Sequence, residues 1–295
     1  MRELRLRMMR ALELFSGLGG WRLALGGRGE VAAAYDVNEA ANASYALNHG
    51  ELPKARELAT IPLRNLAAHG ADTWLLSPPC QPFCRMGHHA GLEDRRSRAF
   101  RHLMDLFPEL SPEYLVLENV SGFLGSDAHA LLAERLRTQG LHRLDLEACP
   151  SRFGLPNQRP RVFVVASRRP LKARPLPELP ARRIAEFLDL VEDAALYLPE
   201  AILARHRCGL DVVTADDRRS TCFIGGYGQR YVASGSFLRT PQGIRRFSTS
   251  EVARLLGLPE VFRFPEEVPL EARYKLLGNG LSIPVAAWAL SHLDG

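Results

Sequence analysis

A regular alternation of short apolar segments with longer amphipathic ones constrains the fold of this 295-residue chain more than any other feature. In the longer segments apolar residues recur at helical spacing, as at Phe100, Leu103 and Phe107. Strands that alternate with helices predict an α/β fold, in which a parallel sheet is covered by helices on both faces. The segments predicted as buried parallel strands are residues 11–15, 31–35, 73–76, 114–117 and 162–166.

A change in composition marks the end of this alternation. Residues 168–183 contain four prolines and six Arg or Lys residues, which predicts a linker into a second, smaller lobe. Ser248 and Glu251 have the spacing of a helix-initiating capping box, and residues 283–290 are apolar enough for a final helix on the first lobe. We therefore predict a large domain over residues 1–170, a smaller lobe over 171–247, and a returning segment over 248–295.

Composition and charge bear on the partner and the cellular compartment of the protein. A formal charge of +5 and a pI near 9.1 favour a polyanionic partner, although many ordinary enzymes are equally basic. No stretch has the length of a membrane span, and the N-terminal residues lack the apolar run of a signal peptide. The five cysteines are odd in number and scattered, which argues against a disulfide framework. We expect a cytoplasmic protein without membrane association, and no protein partner is indicated.

The first candidate binding element is a glycine-rich turn, FSGLGG at residues 15–20, between the first predicted strand and a helix. Glycines allow the backbone to approach a ligand at the carboxyl edge of a sheet. Asp36 ends the next predicted strand, nineteen residues after Gly17, where a carboxylate can accept hydrogen bonds from ribose hydroxyls. The pair favours a nucleoside-type pocket over the alternative, a tight turn without a ligand.

The second candidate element is SPPCQP at residues 77–82, directly after the third predicted strand. Its prolines fix the backbone, so we expect Cys80 on a stiff loop at the same sheet edge. A single cysteine is more often an inert buried residue, but a position on a loop outside any apolar run favours a reactive thiol. A zinc site is the alternative interpretation of Cys80 and Cys84. The sequence has no second closely spaced Cys/His pair to complete the set of zinc ligands, so we predict no metal site.

Two further elements carry charge. Glu118 follows the fourth predicted strand, and Arg159 and Arg161 precede the fifth with alternating spacing that points both side chains the same way. Taken singly, the carboxylate is explained as a solvated cap and the arginines as a surface pair. Together with Cys80 they bring a thiol, a carboxyl group and two guanidinium groups to one sheet edge beside a nucleoside-type pocket.

These segments resemble the motifs of the cytosine-5 methyltransferases, in the same order and over nearly the whole chain. FSGLGG is similar to their cofactor motif, PCQ at residues 79–81 to their nucleophile motif, and ENV at 118–120 to their carboxylate motif. Residues 246–251 and LGNG at 277–280 resemble their two late motifs. The resemblance implies a Rossmann-like class I methyltransferase sheet that binds S-adenosylmethionine, with the smaller lobe as a target-recognition domain.

Within this superfamily the chain most resembles the tRNA(Asp) cytosine-5 methyltransferases that look like DNA methyltransferases. Segments that follow this family are residues 35–38, 77–83 and 157–161. The most telling segment is residues 222–236, which contains CFI, GYG and SGS, whereas Ile224 and Cys84 stand where that family commonly has Thr. The resemblance implies a cytosine in an anticodon loop, at position 38 of tRNA-Asp or a similar tRNA, as the substrate; DNA is the alternative.

The resemblance also implies roles for the site residues. Cys80 adds to carbon 6 of the cytosine, Glu118 shares a proton with N3, and Arg161 holds O2. Arg159 braces the pocket or a phosphate. Cofactor contacts are expected from Phe15, Ser16, Gly17, Leu18, Gly19, Asp36, Val37, Thr60, Ile61, Ser77, Asn279 and Gly280. Further substrate contacts are expected from Gln81, Asn119, Cys222 and Phe223.

Two functions of other classes compete with this one. An amino-group methyltransferase also uses a Ser-Pro-Pro loop, but with an aromatic residue where this chain has Cys80. A non-catalytic nucleic-acid-binding protein would not need Cys80, Glu118, Arg159 and Arg161 together. Residues 85–98, rich in Arg and His, are interpreted either as a lid that closes on a nucleic acid backbone or as a solvated loop.

Overall fold

The computed structural model describes residues 8–79, 97–191, 193–206 and 208–294. The strands of its central sheet are β1 (Met9–Leu14), β2 (Gly29–Tyr35), β3 (Thr73–Leu76), β4 (Tyr114–Asn119), β5 (His142–Ala148) and β6 (Arg161–Ser167). Their order is β2-β1-β3-β4-β6-β5, and β1 to β4 pair in parallel. The predicted α/β fold with a parallel-rich sheet is therefore confirmed.

Two details of the sheet correct the sequence prediction. The strand predicted as parallel at residues 162–166 is β6, which pairs antiparallel with both β4 and β5. The prediction also missed β5, whose sequence HRLDLEA alternates polar and apolar residues along an edge strand. A search for continuous apolar runs finds strands that are buried on both faces and overlooks an edge strand of this kind.

The reversed direction of β6 has a consequence for the site. Asn119, at the end of β4, pairs with Val162 near the start of β6. Arg161, the first residue of β6, therefore lies at the edge where β1 to β4 end. A parallel β6 would begin at the opposite edge of the sheet and would separate the arginines from Glu118.

Helices cover both faces because neighbouring strand residues point to opposite sides. The α-helices of the described residues are α1 (Gly20–Leu25), α2 (Glu39–His49), α3 (Leu63–Ala67), α4 (Arg98–Leu110), α5 (Asp127–Thr138), α6 (Glu200–His206), α7 (Thr249–Leu255), α8 (Leu270–Asn279) and α9 (Ile283–Ser291). Leu115 and Leu117 of β4 pack in one core with Phe107 of α4, whereas Val116 packs in another with Trp21 of α1 and Ala286 of α9. This period of two is typical of a sheet covered on both sides.

The residues after β6 include a smaller sheet with the order β7 (Asp211–Val213), β8 (Ser236–Thr240) and β9 (Gly243–Arg245). Glu251 accepts a hydrogen bond from the backbone N–H of Ser248, whose hydroxyl accepts the N–H of Glu251. This confirms the capping box predicted at the start of α7. Glu251 also forms a fully buried ion pair with Arg245, at 2.7 Å. Within the described ranges no helix combines the length and apolar character that a bilayer crossing needs.

Candidate active site

A cavity of about 540 Å³ lies at the edge where β1 to β4 end. Loops that leave these strands, the start of β6 and the end of α8 all contribute to its wall. Predicted site residues that line it are Phe15, Ser16, Gly17, Leu18, Asp36, Val37, Ser77, Glu118, Asn119, Arg159, Arg161, Asn279 and Gly280. Thus the structure brings most of the predicted cofactor residues together with the predicted catalytic carboxyl and guanidinium groups.

Other predicted residues lie outside this wall. Gly19 precedes α1 with a φ of 80°, and Cys222 and Phe223 contact Arg159 from the segment between β7 and β8. Thr60 and Ile61 line a separate cavity of about 450 Å³. Residues predicted to act at the site that fall outside the described ranges are Cys80 and Gln81, together with Cys84 and the lid segment up to residue 96.

The cavity wall also contains residues that the sequence did not single out. Trp21 of α1 donates its indole N–H to the hydroxyl of Ser77 at 3.0 Å, which links the glycine turn to the loop after β3. Glu57 reaches the wall from the loop after α2, and Leu281 from the loop after α8. Leu281 directly follows the LGNG motif, so the sequence could have indicated it as a site residue. No sequence pattern distinguished Trp21 or Glu57.

The glycine turn owes its shape to Asp36. Its carboxylate accepts the backbone N–H of Gly17 at 2.9 Å through one oxygen and that of Asn38 at 2.9 Å through the other. Gly17 has a φ of 53°, which favours glycine, and apart from its chain neighbours no described residue has an atom within 4 Å of the position where its Cβ would be. Phe15 adopts a φ of 60° although it is not glycine, a strained conformation that is concentrated at functional sites.

A buried carboxyl group supports the helix that begins at this turn. Glu13 accepts the backbone N–H groups of Trp21 and Arg22 at 3.0 and 3.2 Å and the hydroxyl of Tyr45 at 2.9 Å. The two backbone N–H groups are donors that the N-terminus of α1 leaves unsatisfied. Burial raises the pKa of Glu13 to about 7, against the hydrogen bonds, which lower it.

This pKa predicts a pH-dependent stability. Between pH 4.5 and 7 folded Glu13 holds a proton that the unfolded chain has lost, so the free energy of unfolding falls as the pH rises through this window. We expect the fall between pH 5 and 7.5 to be about 2 kcal/mol smaller in Glu13→Gln than in the unaltered protein. Urea titrations at both pH values measure it, with Glu109→Gln, an exposed carboxyl on α4, as the control. Equal pH slopes in all three proteins would contradict the role of Glu13.

The charged pair of the site joins β4 to β6. A carboxylate oxygen of Glu118 lies 3.1 Å from Nε of Arg161, and both side chains are largely buried. Burial raises the pKa of Glu118; the positive charges of Arg161 and Arg159 and a hydrogen bond from Ser77 lower it, but the net shift is upward. Glu118 therefore keeps its proton to a higher pH than an ordinary glutamate, as a proton donor requires.

Asn119 fixes the loop that leads to the predicted nucleophile. Its side-chain amide donates to the carbonyl oxygen of Pro78 at 3.1 Å, and the side chain is fully buried. Pro78 and Pro79 both line the cavity, and the next residue in the sequence is Cys80. The residues that lead into the nucleophile motif thus form part of the cavity wall, and a buried hydrogen bond holds them in place.

Arg159 connects two parts of the cavity wall. One terminal nitrogen donates to the carbonyl oxygen of Phe223 at 3.1 Å and lies 3.2 Å from the sulfur of Cys222. Its other terminal nitrogen donates to the carbonyl oxygens of Gly278 and Gly280 at 2.9 and 2.8 Å. In this geometry the guanidinium braces the wall, because both terminal nitrogens are occupied by other parts of the chain.

The thiol of Cys222 lies beside the same charges. Burial raises its pKa, whereas the positive charges of Arg159 and Arg161 and hydrogen bonds from both lower it, and the net pKa is below that of an ordinary cysteine. Burial also lowers the pKa of Arg159. Two guanidinium groups, one carboxyl group and a thiol thus share one partly buried region. No set of His, Cys, Asp and Glu side chains in the described part of the chain is arranged to hold a metal ion.

Comparisons with known proteins agree on one class. The profile of a family described as C-5 cytosine-specific DNA methylase matches residues 9–201 and 211–293. The chain is 31% identical to the tRNA (cytosine(38)-C(5))-methyltransferase of Schizosaccharomyces pombe, over 97% of each protein. It is 29% identical to the Homo sapiens protein of that name, over 95% of this chain and 97% of the relative. A solved Entamoeba histolytica methyltransferase superposes with a TM-score of 0.92 at 25% identity, covering 97% of this chain and 98% of that one.

Proposed function

The chain belongs to the C-5 cytosine-specific DNA methylase family, and on that premise we propose that it methylates carbon 5 of a cytosine in transfer RNA. Membership makes it an S-adenosylmethionine-dependent cytosine-5 methyltransferase with the class I methyltransferase fold. The observation that carries the RNA substrate is the end-to-end similarity to relatives named as tRNA methyltransferases. Residues 222–236, which resemble that family, point the same way.

The cavity fits S-adenosylmethionine in three respects. The hydroxyl of Ser16 is buried in the wall and has no hydrogen-bond partner among the described residues, and a polar ligand would satisfy it. Within the described part of the chain each carboxylate oxygen of Asp36 accepts one backbone N–H, so lone pairs remain for ribose hydroxyls. The space above Gly17 is open to an approaching ligand. When bound there, the cofactor supplies an electrophilic methyl group to carbon 5.

We assign activation of the cytosine to Cys80. Carbon 5 is too weak a nucleophile by itself, so a nucleophile must first add to carbon 6 and make the ring electron-rich. The thiolate of Cys80 forms a bond to carbon 6, and the electrons of the C5–C6 double bond become available at carbon 5. The target base must leave its stack to reach the cavity, which costs less for an unpaired loop base than for a paired one.

Glu118 and Arg161 act on the polar edge of the same ring. As Cys80 adds, negative charge develops toward N3, and the proton that Glu118 retains is donated there. Arg161, held 3.1 Å from Glu118, donates to the O2 edge. After methylation a base, which water can supply, removes the carbon 5 proton. The freed electron pair restores the C5–C6 double bond and expels the Cys80 thiolate, and N3 returns its proton to the carboxylate of Glu118.

The proposed target is a cytosine of an anticodon loop, at position 38 of tRNA-Asp or a similar tRNA, in a cytoplasmic enzyme. The Schizosaccharomyces pombe and Homo sapiens relatives are both named for cytosine 38. DNA is the second candidate, because the matching family is described by its action on DNA and would use the same catalytic residues.

A labelling experiment separates the two substrates. We expect methyl-labelled S-adenosylmethionine to label total tRNA and to leave duplex DNA unlabelled when each is incubated with the protein. Bisulfite sequencing of the labelled RNA should then report one protected cytosine in the anticodon loop. Label in DNA alone, or at a cytosine within a paired RNA stem, would contradict the proposed substrate.

A further inference from the structure

A second concave surface adjoins the cofactor cavity at the end of β2. Two neighbouring cavities of about 720 and 450 Å³ share the side chains of Arg56 and Arg64 as lining. The smaller one also shares Glu57 with the cofactor cavity. We call the joint surface, with Lys54 at its outer end, the basic trough. It runs outward from the cofactor cavity along the sheet edge at which the catalytic pair lies.

The fold fixes the positions of the three cations. The backbone N–H of Lys54 donates to the carbonyl oxygen of Ala34 at 2.8 Å, and Lys54 pairs with Tyr35 in a parallel bridge, so this loop follows the edge of β2. Arg56 lies two residues further along the loop, and α3 contributes Arg64 from the other side. The trough thus has two walls with cations on each.

The floor of the trough is rigid. Tyr35 is almost fully buried, and its hydroxyl lies 2.9 Å from Nε2 of His69 and 3.4 Å from the carbonyl oxygen of Asn65. Burial lowers the pKa of His69, and the charges of Lys54 and Arg10 lower it further. The buried phenol and the neutral imidazole thus carry no charge, and the positive charge of the trough is carried by its rim.

The charge of the trough is not neutralised by the described residues. Lys54, Arg56 and Arg64 are exposed, and none of them forms an ion pair within the described ranges, unlike Arg10 with Glu30 or Arg22 with Glu51. Glu57, at the cofactor end, accepts the backbone N–H of Ala59 at 3.1 Å. Among the described residues that line the trough, three cations face one carboxylate, that of Glu57, and the net positive charge creates a field that attracts a polyanion.

We infer that the basic trough binds the sugar-phosphate backbone of the RNA substrate. The inference rests on the proposed function and deepens it, because it assigns a path for the RNA beyond the target base. A series of cations along one groove suits successive phosphates, and the cavities are larger than one phosphate needs. Pro53 and Ala68 add apolar lining, against which sugars can pack. A trough beside the cofactor cavity can hold the strand while its cytosine is extruded toward Glu118.

Paired variants with equal loss of charge test this assignment. We expect Arg56→Gln/Arg64→Gln to weaken binding of a tRNA transcript about 25-fold at ~0.1 M salt, from a factor of about five per phosphate contact, and to make the log-log salt dependence shallower by about 1.4. The control Arg169→Gln/Lys172→Gln removes two exposed charges that follow β6 at the opposite edge of the sheet. That control should bind tRNA within about two-fold of the unaltered protein.

Three readouts keep the result interpretable. Affinity for S-adenosylmethionine and the melting temperature should stay unchanged in Arg56→Gln/Arg64→Gln, and Arg56→Lys/Arg64→Lys should recover most of the RNA affinity. Unchanged tRNA binding in the Gln variant, or an equal loss in the control, overturns the trough assignment while tRNA methylation by the unaltered protein still supports the proposed function. Failure of the unaltered protein to bind and methylate tRNA would overturn both.

Discussion

Replacing Cys80 by alanine is expected to reduce methyl transfer on the order of 10⁴-fold or more, because the variant has no thiolate to add to carbon 6. Affinity for S-adenosylmethionine should persist, since the glycine turn, Asp36 and Ser16 form the cofactor end of the cavity without Cys80. Single-turnover transfer to tRNA and equilibrium cofactor binding measure the two effects separately.

The matched control for this variant is Cys84→Ala. Cys84 lies four residues away in the same motif, where the related family commonly has Thr, so most activity should remain. Equal activity of the Cys80 variant and the unaltered protein would refute covalent activation by this residue. Loss of activity only in the Cys84 variant would reassign the nucleophile.

Replacing Glu118 by glutamine is expected to lower kcat by about 10²- to 10⁴-fold with little change in the KM for S-adenosylmethionine. The amide cannot deliver the proton that the raised pKa of Glu118 retains. In the unaltered protein kcat should fall as the pH rises through that pKa, because the donor loses its proton. This alkaline limb should be absent from the residual activity of Glu118→Gln.

The control for the carboxyl group is Glu109→Gln, which removes an exposed carboxyl from α4 and should keep both kcat and the pH profile. The substitution also removes the carboxylate that lies 3.1 Å from the guanidinium of Arg161, and breaking a buried ion pair destabilises a protein. A measurement of stability is therefore needed as a second control. Melting temperatures therefore accompany the kinetics. An unchanged kcat in a folded Glu118→Gln protein would contradict the proposed proton transfer.

The strands buried on both faces were predictable from the sequence. Apolar runs such as residues 73–76 and 114–117 leave few alternatives, and the structure places β3 and β4 there. The direction of β6 was not predictable from its own sequence, since an apolar run does not indicate whether the strand is parallel or antiparallel to its neighbours. Its direction follows from β5, an edge strand with a polar alternating sequence that sequence reasoning missed.

The residues that line the cavity were predictable where they belong to a sequence motif. The glycine turn with Asp36, the Glu118 segment and the two arginines all reach one cavity. Thr60 and Ile61, expected from resemblance alone, line a neighbouring cavity, and Glu57 from the same loop lines the main one. A loop of this kind positions its side chains through tertiary contacts, so that sequence spacing carries little information.

The alternating spacing of Arg159 and Arg161 gave their common direction but not their different partners. Arg161 pairs with Glu118, whereas Arg159 is held by carbonyl groups of Phe223, Gly278 and Gly280. Those acceptors lie more than sixty residues away in the sequence. Tertiary packing, which the local spacing does not encode, brings them together with Arg159.

The most direct test of the central claim is to trap the bond between Cys80 and carbon 6. In RNA that carries 5-fluorocytosine at the target position, fluorine cannot leave as a cation, so the final elimination is blocked. We predict a protein–RNA complex that survives denaturation, forms only with S-adenosylmethionine present, and contains Cys80 in its cross-linked peptide. A cross-link at Cys222, or no complex at all from a protein that methylates the normal RNA, would contradict the account.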